Sequence, residues 1–376
     1  MRKFTFILAI LLSFAGLAKA QEAENTYDPT TAEGVVPALS TVDGTKFAYY
    51  LRSYADASKF LSPYMNEPTT QDKSGQITTN IDEATLVAIV KNGNAFDMYS
   101  VNKEGTLVAK WRGDKPYLWI NRLTGSTYTT FAIKNVSADN VAYTISNGNK
   151  YLNTTNANKQ YMTGGNASQA TSQWQFIPAN DAAKAAAALT IKVAEGDAVH
   201  GNLATFSASY PTAKPEGYTV YTATKNAVNN EVELTELTGN VIPASTGVLL
   251  KGDANDAVAI TPSLETATAT SELVATNEDT KTVTDGESIY ALGVDGGQLA
   301  FCKVKANTTI GANKAYLPAD AAGALKLSFD GTVTAINHAV VAEKSDAPIF
   351  DLSGRRVTKA NKAGLYIQNG KKFIVK

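Results

Sequence analysis

The sequence predicts an all-β protein made of several separately folded pieces. Three observations point there. Only 18% of the residues are charged, and Thr, Ala, Asn and Tyr are abundant. Such a composition suits short antiparallel strands joined by polar turns and gives little support to long helices. Apolar and polar residues alternate in Tyr218-Thr219-Val220-Tyr221-Thr222-Ala223 and in Glu231-Val232-Glu233-Leu234, the period-2 pattern of half-buried strands. Strand-like segments also recur at near-constant spacing, which marks a repeat architecture.

The N-terminus comes first. Arg2 and Lys3 precede an apolar run from Phe4 to Leu17, and Ala18-Lys19-Ala20 is a small-x-small site. These are the parts of a secretory signal peptide, residues 1–20, with cleavage between Ala20 and Gln21. The run is too short to span a membrane comfortably, and no later stretch reads as a transmembrane anchor. Residues 21–44 are polar, rich in turn formers and without periodicity, so they read as a linker or loosely tethered arm.

Residues 45–180 hold an internal repeat. Val87-Ala88-Ile89, Phe131-Ala132-Ile133 and Trp174-Gln175-Phe176 begin 44 and 43 positions apart. Twelve residues after the first two come Tyr99-Ser100-Val101 and Tyr143-Thr144-Ile145, followed at equal offsets by Leu107-Val108 and Tyr151-Leu152. Tyr49 to Arg52 and Phe60-Leu61 supply the first copy, with a longer turn. Three units, none able to bury its apolar face alone, make one barrel of threefold pseudosymmetry. In repeat length and aromatic placement this resembles the β-trefoil of ricin-B-like lectins. Sugar-binding members carry Gln-x-Trp in each unit. Here those places hold Thr85-Leu86-Val87, Thr129-Thr130-Phe131 and Ser172-Gln173-Trp174, so the resemblance implies the barrel core and leaves sugar binding open.

Residues 181–192 are Ala-rich and read as a short helix or spacer. Residues 193–335 return to strands. Ile242-Pro243-Ala244 with Leu249 and Ile310-Gly311-Ala312 with Leu317 share I-x-A-x4-L, which suggests equivalent strand-turn-strand pieces on opposite halves of a β-sandwich. This region resembles a β-sandwich module of secreted proteins from bacteria that use type IX export.

Residues 336–376 end the chain. From Asp351 onward there are seven Lys or Arg and one acidic residue, although the whole chain has a net charge of −1. Strand, turn, strand is followed by Asn369-Gly370, a strong hairpin signal. The order Asp351-Leu352-x-Gly354-Arg355-x-Val357, then Gly364-Leu365-Tyr366-Ile367, then Lys371 and Lys372 running to Lys376 resembles the C-terminal sorting domain of type IX-secreted proteins. Lys362-Ala363-Gly364 carries one residue more than that pattern. The resemblance implies the type IX secretion machinery as partner, transport across the outer membrane, and frequent removal of the tail during attachment. The basic charge then serves as an address, and the near-neutral chain argues against nucleic acid as a partner.

Chemistry has little to work with. Cys302 is the only cysteine and His200 and His338 the only histidines. Cys302 therefore forms no intrachain disulfide, and no G-x-S-x-G accompanies His200. Asp253-Ala254-Asn255-Asp256 and Asp295-Gly296-Gly297 lack the calcium-loop ladder, and no ligand cluster suggests zinc. The expectation is a protein without catalytic residues, metal or cofactor. Trp111 to Trp119 is different, because Trp111, Tyr117 and Trp119 could stack on sugar rings or serve as barrel core and cap. The Arg112-Gly113-Asp114 tripeptide between them reads as an ordinary turn, with integrin recognition as the rival. The expected protein is secreted, extracellular or held at the outer-membrane surface, and binds a glycan or protein ligand. A dedicated carbohydrate-binding lectin is the first alternative, a secreted hydrolase or protease inhibitor the second.

Overall fold

The computed structural model describes residues 27–125, 127–136, 141–155, 162–164, 166–329, 349–351, 355–357, 364–368 and 371–375. Ala20 and Gln21, and Leu352, Gly354 and Lys376 of the tail motif, lie outside the described residues. The fold is all-β. Two compact units divide between Lys184 and Ala185. That point falls within α1, Asp181–Ala187, whose start is capped where Asn180 Oδ1 accepts the Ala183 N–H at 2.8 Å. Among the described residues no helix is long and apolar enough to cross a membrane.

The first unit contains β1 (Tyr49–Ser53), β2 (Phe60–Ser62), β3 (Gln76–Thr78), β4 (Leu86–Asn92), β5 (Ala95–Val101) and β6 (Leu107–Arg112). It continues with β7 (Trp119–Asn121), β8 (Ala132–Asn135), β9 (Tyr143–Asn147), β10 (Lys150–Leu152), β11 (Met162–Gly164) and β12 (Gln173–Pro178). Six of these close a ring. β1 pairs with β4 at Tyr49↔Val87, and β4 with β5 at Val87↔Ser100. Phe96 of β5 bridges Phe131, the residue before β8. β8 pairs with β9 at Ile133↔Ile145, β9 with β12 at Tyr143↔Trp174, and β12 with β1 at Phe176↔Leu51. Three hairpins, β2–β3, β6–β7 and β10–β11, continue from this ring, each paired to it through β1, β5 and β9 in turn.

Val87, Phe131 and Trp174 therefore face Tyr49, Phe96 and Tyr143 across corresponding ladders. All three are fully buried. Edge-to-face contacts join Tyr49 and Tyr143 to Phe176, with ring centroids 5.9 and 5.3 Å apart, the geometry that aromatic quadrupoles prefer.

In the middle copy the pairing corrects the sequence alignment by three residues. Phe96, not Tyr99, corresponds to Tyr143. Across the next ladder Lys110 faces Tyr99 as Tyr151 faces Ser146, so Lys110-Trp111 replaces Leu107-Val108. The cause is local. β4 and β5 are joined by the two-residue turn Gly93-Asn94, with Asn92 opposite Ala95 and Gly93 at φ 58°. A turn with positive φ suits Gly and closes in fewer residues than the connection from β8 to β9.

A second correction concerns the arm. Residues 27–44 pack on the barrel. Val35 donates its N–H to Phe176 O at 2.9 Å and Ser40 to Ile89 O at 2.8 Å, while Ala38, Leu39 and Ser40 are buried. Arg52, itself buried, donates to Gln175 Oε1 twice and to Thr30 O at 3.0 Å. The apolar run Val35 to Leu39 gives this arm surface to bury, which its turn-rich composition conceals.

The second unit is organised by one sheet of nine strands. These are β13 (Asn202–Phe206), β14 (Thr219–Asn226), β15 (Glu231–Glu236), β16 (Val248–Gly252), β17 (Val274–Ala275), β18 (Ile289–Asp295), β19 (Gln298–Lys303), β20 (Ala315–Pro318) and β21 (Leu325–Phe329). Their order is β13-β16-β14-β15-β21-β19-β18-β20-β17. The echoing passages take corresponding places in it. Leu249 faces Tyr221 and Leu317 faces Tyr290. Ile242 and Ile310 each sit in a two-stranded ladder, and Ser245 and Asn313 have φ of 52° and 55°. Both halves contribute to one core, through Leu203, Leu234, Leu249, Tyr290, Phe301 and Leu317. Cys302 is half-buried in β19, and burial raises its thiol pKa.

The tail forms its own four-stranded sheet from β22 (Ile349–Asp351), β23 (Arg356–Val357), β24 (Gly364–Gln368) and β25 (Lys371–Val375), ordered β23-β22-β24-β25. Asp351 Oδ1 accepts the Arg355 N–H at 3.0 Å, and Arg355 Nε donates to Oδ2 at 3.2 Å. Those bonds join the Asp and Arg that the motif places four residues apart. Tyr366 and Phe373 stack with centroids 5.8 Å apart.

Candidate ligand-binding recess

The hairpin β6–β7 decides what the aromatic cluster can do. Its register sets Trp111 opposite Ile120 and Arg112 opposite Trp119. Side chains alternate between the faces of a strand, so the two tryptophans point to opposite sides. Trp111 is fully buried. Its Nε1–H donates to Ser100 Oγ at 2.9 Å, and its ring meets Phe131 edge-on at 6.2 Å. It is a core residue, and the expectation that its ring is offered to a ligand is corrected. Tyr117 and Trp119 are half-buried.

Those two rings line an open recess of about 410 Å³, together with Asp72, Arg112, Lys115, Pro116 and Asn121. Asp72 arrives from another part of the chain, because Lys73–Ser74 pairs with Trp119–Ile120. Its Oδ1 accepts the Arg122 N–H at 3.2 Å and lies 3.7 Å from Arg122 Nε. Arg112 forks onto Asp114, with Nε to Oδ1 at 2.5 Å and Nη2 to Oδ2 at 3.0 Å. The guanidinium bonds hold the Asp114 carboxyl below its usual range, and the carboxylate raises Arg112 in return. Asn121 donates Nδ2–H to Thr127 O at 2.9 Å.

The Arg112-Gly113-Asp114 turn is thus closed upon itself. Gly113 donates its N–H to Thr129 Oγ1 at 2.6 Å. A Cβ there would lie 2.6 Å from Phe131 Cε1, so only glycine fits beneath the ion pair. Lys110, on the same hairpin, is also committed. It pairs with Asp97 at 2.8 Å and sits 5.2 and 5.0 Å from the Tyr99 and Tyr128 ring centres. Burial lowers its pKa, but the bonds to Asp97 and Tyr99 outweigh that and raise it.

In the second unit, His200 lies in the turn at residues 197–201. It is buried, and its Nδ1 lies 2.8 Å from Asp197 Oδ2. Asp197 also accepts the N–H groups of Val199 and His200 at 2.7 Å and of Leu299 at 2.5 Å. Burial raises the Asp197 pKa, yet these bonds prevail and hold it far below the carboxylate range. The pair ties residues 197–201 to β19. Among the described residues no hydroxyl or thiol is bonded to His200 Nε2, and no group of three His, Cys, Asp or Glu could hold a metal. His338 lies outside the described residues. Another recess, of about 500 Å³, is lined by Thr284, Gly286, Glu287, Lys303, Val304, Lys305 and Ala306. It offers no aromatic ring.

Sequence reasoning found Tyr117 and Trp119 and missed Asp72 and Asn121. The signal for Asp72 is long-range strand pairing, which no local pattern carries. No family model matches the chain, and no curated protein matches it. Among solved structures it is similar to a proteinase inhibitor from Coprinopsis cinerea, with 12% identity and a TM-score of 0.29 over 35% of this chain and 97% of that one. It is also similar to the lysenin pore, with 11% identity and a TM-score of 0.28 over 40% of this chain and 50% of that one. Neither likeness is strong enough to carry an argument about function.

Proposed function

We propose that the chain is an exported, non-enzymatic binding protein whose first unit takes its ligand in the recess beside Tyr117 and Trp119. One observation carries this reading: two half-buried rings line the same open recess, beside two ion pairs that are already closed. Aromatic faces in such a setting suit flat apolar surfaces, above all sugar rings, which favours the lectin reading over general adhesion. The closed ring of six strands with three hairpins supports reading the first unit as a β-trefoil. The single core with duplicated passages supports a β-sandwich for the second. The apolar N-terminal segment and the bonded Asp351–Arg355 pair in a basic tail support export through the type IX machinery to the cell surface or beyond. The internal fork of Arg112 onto Asp114 supports an ordinary turn over an integrin signal. A glycan-array screen of the chain from Gln21, run beside Trp119→Ala, tests the reading. Glycans bound by the parent and lost in the variant support it. Equal binding by both overturns it.

A further inference from the structure

We infer that the sugar taken by the first unit is anionic, a ring bearing a carboxylate or a sulfate; this rests on the recess reading above. The inference follows from accounting for every charge in the lining. Arg112 is neutralised by Asp114 through two bonds. Asp72 is matched by Arg122. Asn121 is uncharged and spends its N–H on Thr127 O. Lys115 remains. It is exposed and belongs to no ion pair among the described residues, touching Asp114 only through its field. The recess thus combines two aromatic rings with one net positive charge, placed four residues before Trp119.

A neutral sugar would use the rings and leave the ammonium to water. A uronic acid or sulfated sugar can stack on Trp119 or Tyr117 and place its anion at Lys115. Such an ion pair at an exposed site adds modestly to affinity and is screened by salt. Its main effect is discrimination between charged and neutral rings of one shape.

Calorimetric titration of the chain from Gln21 with three probes tests this: an oligogalacturonate, the matching neutral galacto-oligosaccharide, and a sulfated galacto-oligosaccharide. One or both anionic probes should bind about fivefold more tightly than the neutral one. Preference for one of them identifies carboxylate or sulfate as the source of charge. Lys115→Gln should erase the preference, so that charged and neutral probes bind the variant equally, with an unchanged melting temperature, and Trp119→Ala should abolish binding of every probe. Equal affinity for charged and neutral probes, or a preference that survives Lys115→Gln, overturns the anionic reading and leaves the recess intact. Binding of any probe that survives Trp119→Ala unchanged overturns the recess itself, as does failure of all three to bind.

Discussion

Replacing Trp111 by alanine should separate core from surface within one hairpin. The indole is fully buried and packs edge-on against Phe131. Its loss removes a large apolar area and leaves a cavity between the β6–β7 hairpin and Phe131, for which large-to-small aromatic changes cost about 3–5 kcal/mol. Its N–H bond to Ser100 Oγ is lost as well. Ser100 keeps its bond to the Thr85 hydroxyl at 3.2 Å, so no buried hydroxyl is orphaned and no further penalty is added. The expected cost is about 4 kcal/mol, equivalent to a fall of about 8–16 °C in a unit of this size. Urea unfolding followed by near-ultraviolet circular dichroism measures it. Trp119→Ala, on the other face of the hairpin, should cost about 1 kcal/mol or less, as for a surface site. Equal costs for the two substitutions would refute the assignment of their faces.

Other outcomes follow from single contacts. Gly113→Ala should lower stability by about 1–3 kcal/mol, because its Cβ would collide with Phe131; a melting temperature equal to the parent's would contradict the close approach. Asp197 has a depressed folded pKa, so its contribution is full above the unfolded carboxyl value of about 3.9 and is lost as pH falls through the folded one. Asp197→Asn should therefore flatten the acid limb of stability against pH and cost about 2 kcal/mol at pH 7; an unchanged acid limb would tell against it. Intact-mass analysis of the exported protein should find Gln21 at its start and the segment after about residue 336 shortened or absent. Deleting residues 351–376 should strand a folded protein in the periplasm, and undiminished surface display would refute the address.

The fold was legible wherever a local pattern suffices. Alternation in Tyr218–Ala223 and Glu231–Leu234 matches β14 and β15, and Val87, Phe131 and Trp174 meet corresponding partners in a closed barrel. What stayed hidden depends on loop length and long-range pairing. The tight turn at Gly93-Asn94 moves the middle copy by three residues, which no repeat period reveals. Trp111 and Trp119 look alike in sequence, and only the hairpin register, Trp111↔Ile120 and Arg112↔Trp119, assigns one inward and one outward. The packed arm at 27–44 escaped because its binding runs through backbone bonds to Phe176 and Ile89. Likewise, the Asp197–His200 pair has a legible spacing, but its burial comes from contact with Leu299.

The most direct test of the recess uses the three indole N–H signals, one for each tryptophan, in a proton–nitrogen correlation spectrum. Trp111 and Trp174 are fully buried, with their N–H groups bonded to Ser100 Oγ and Leu152 O, whereas Trp119 lines the recess. Titration with oligogalacturonate should move the Trp119 signal progressively and leave the other two in place. Saturable binding without movement of the Trp119 signal would contradict the account.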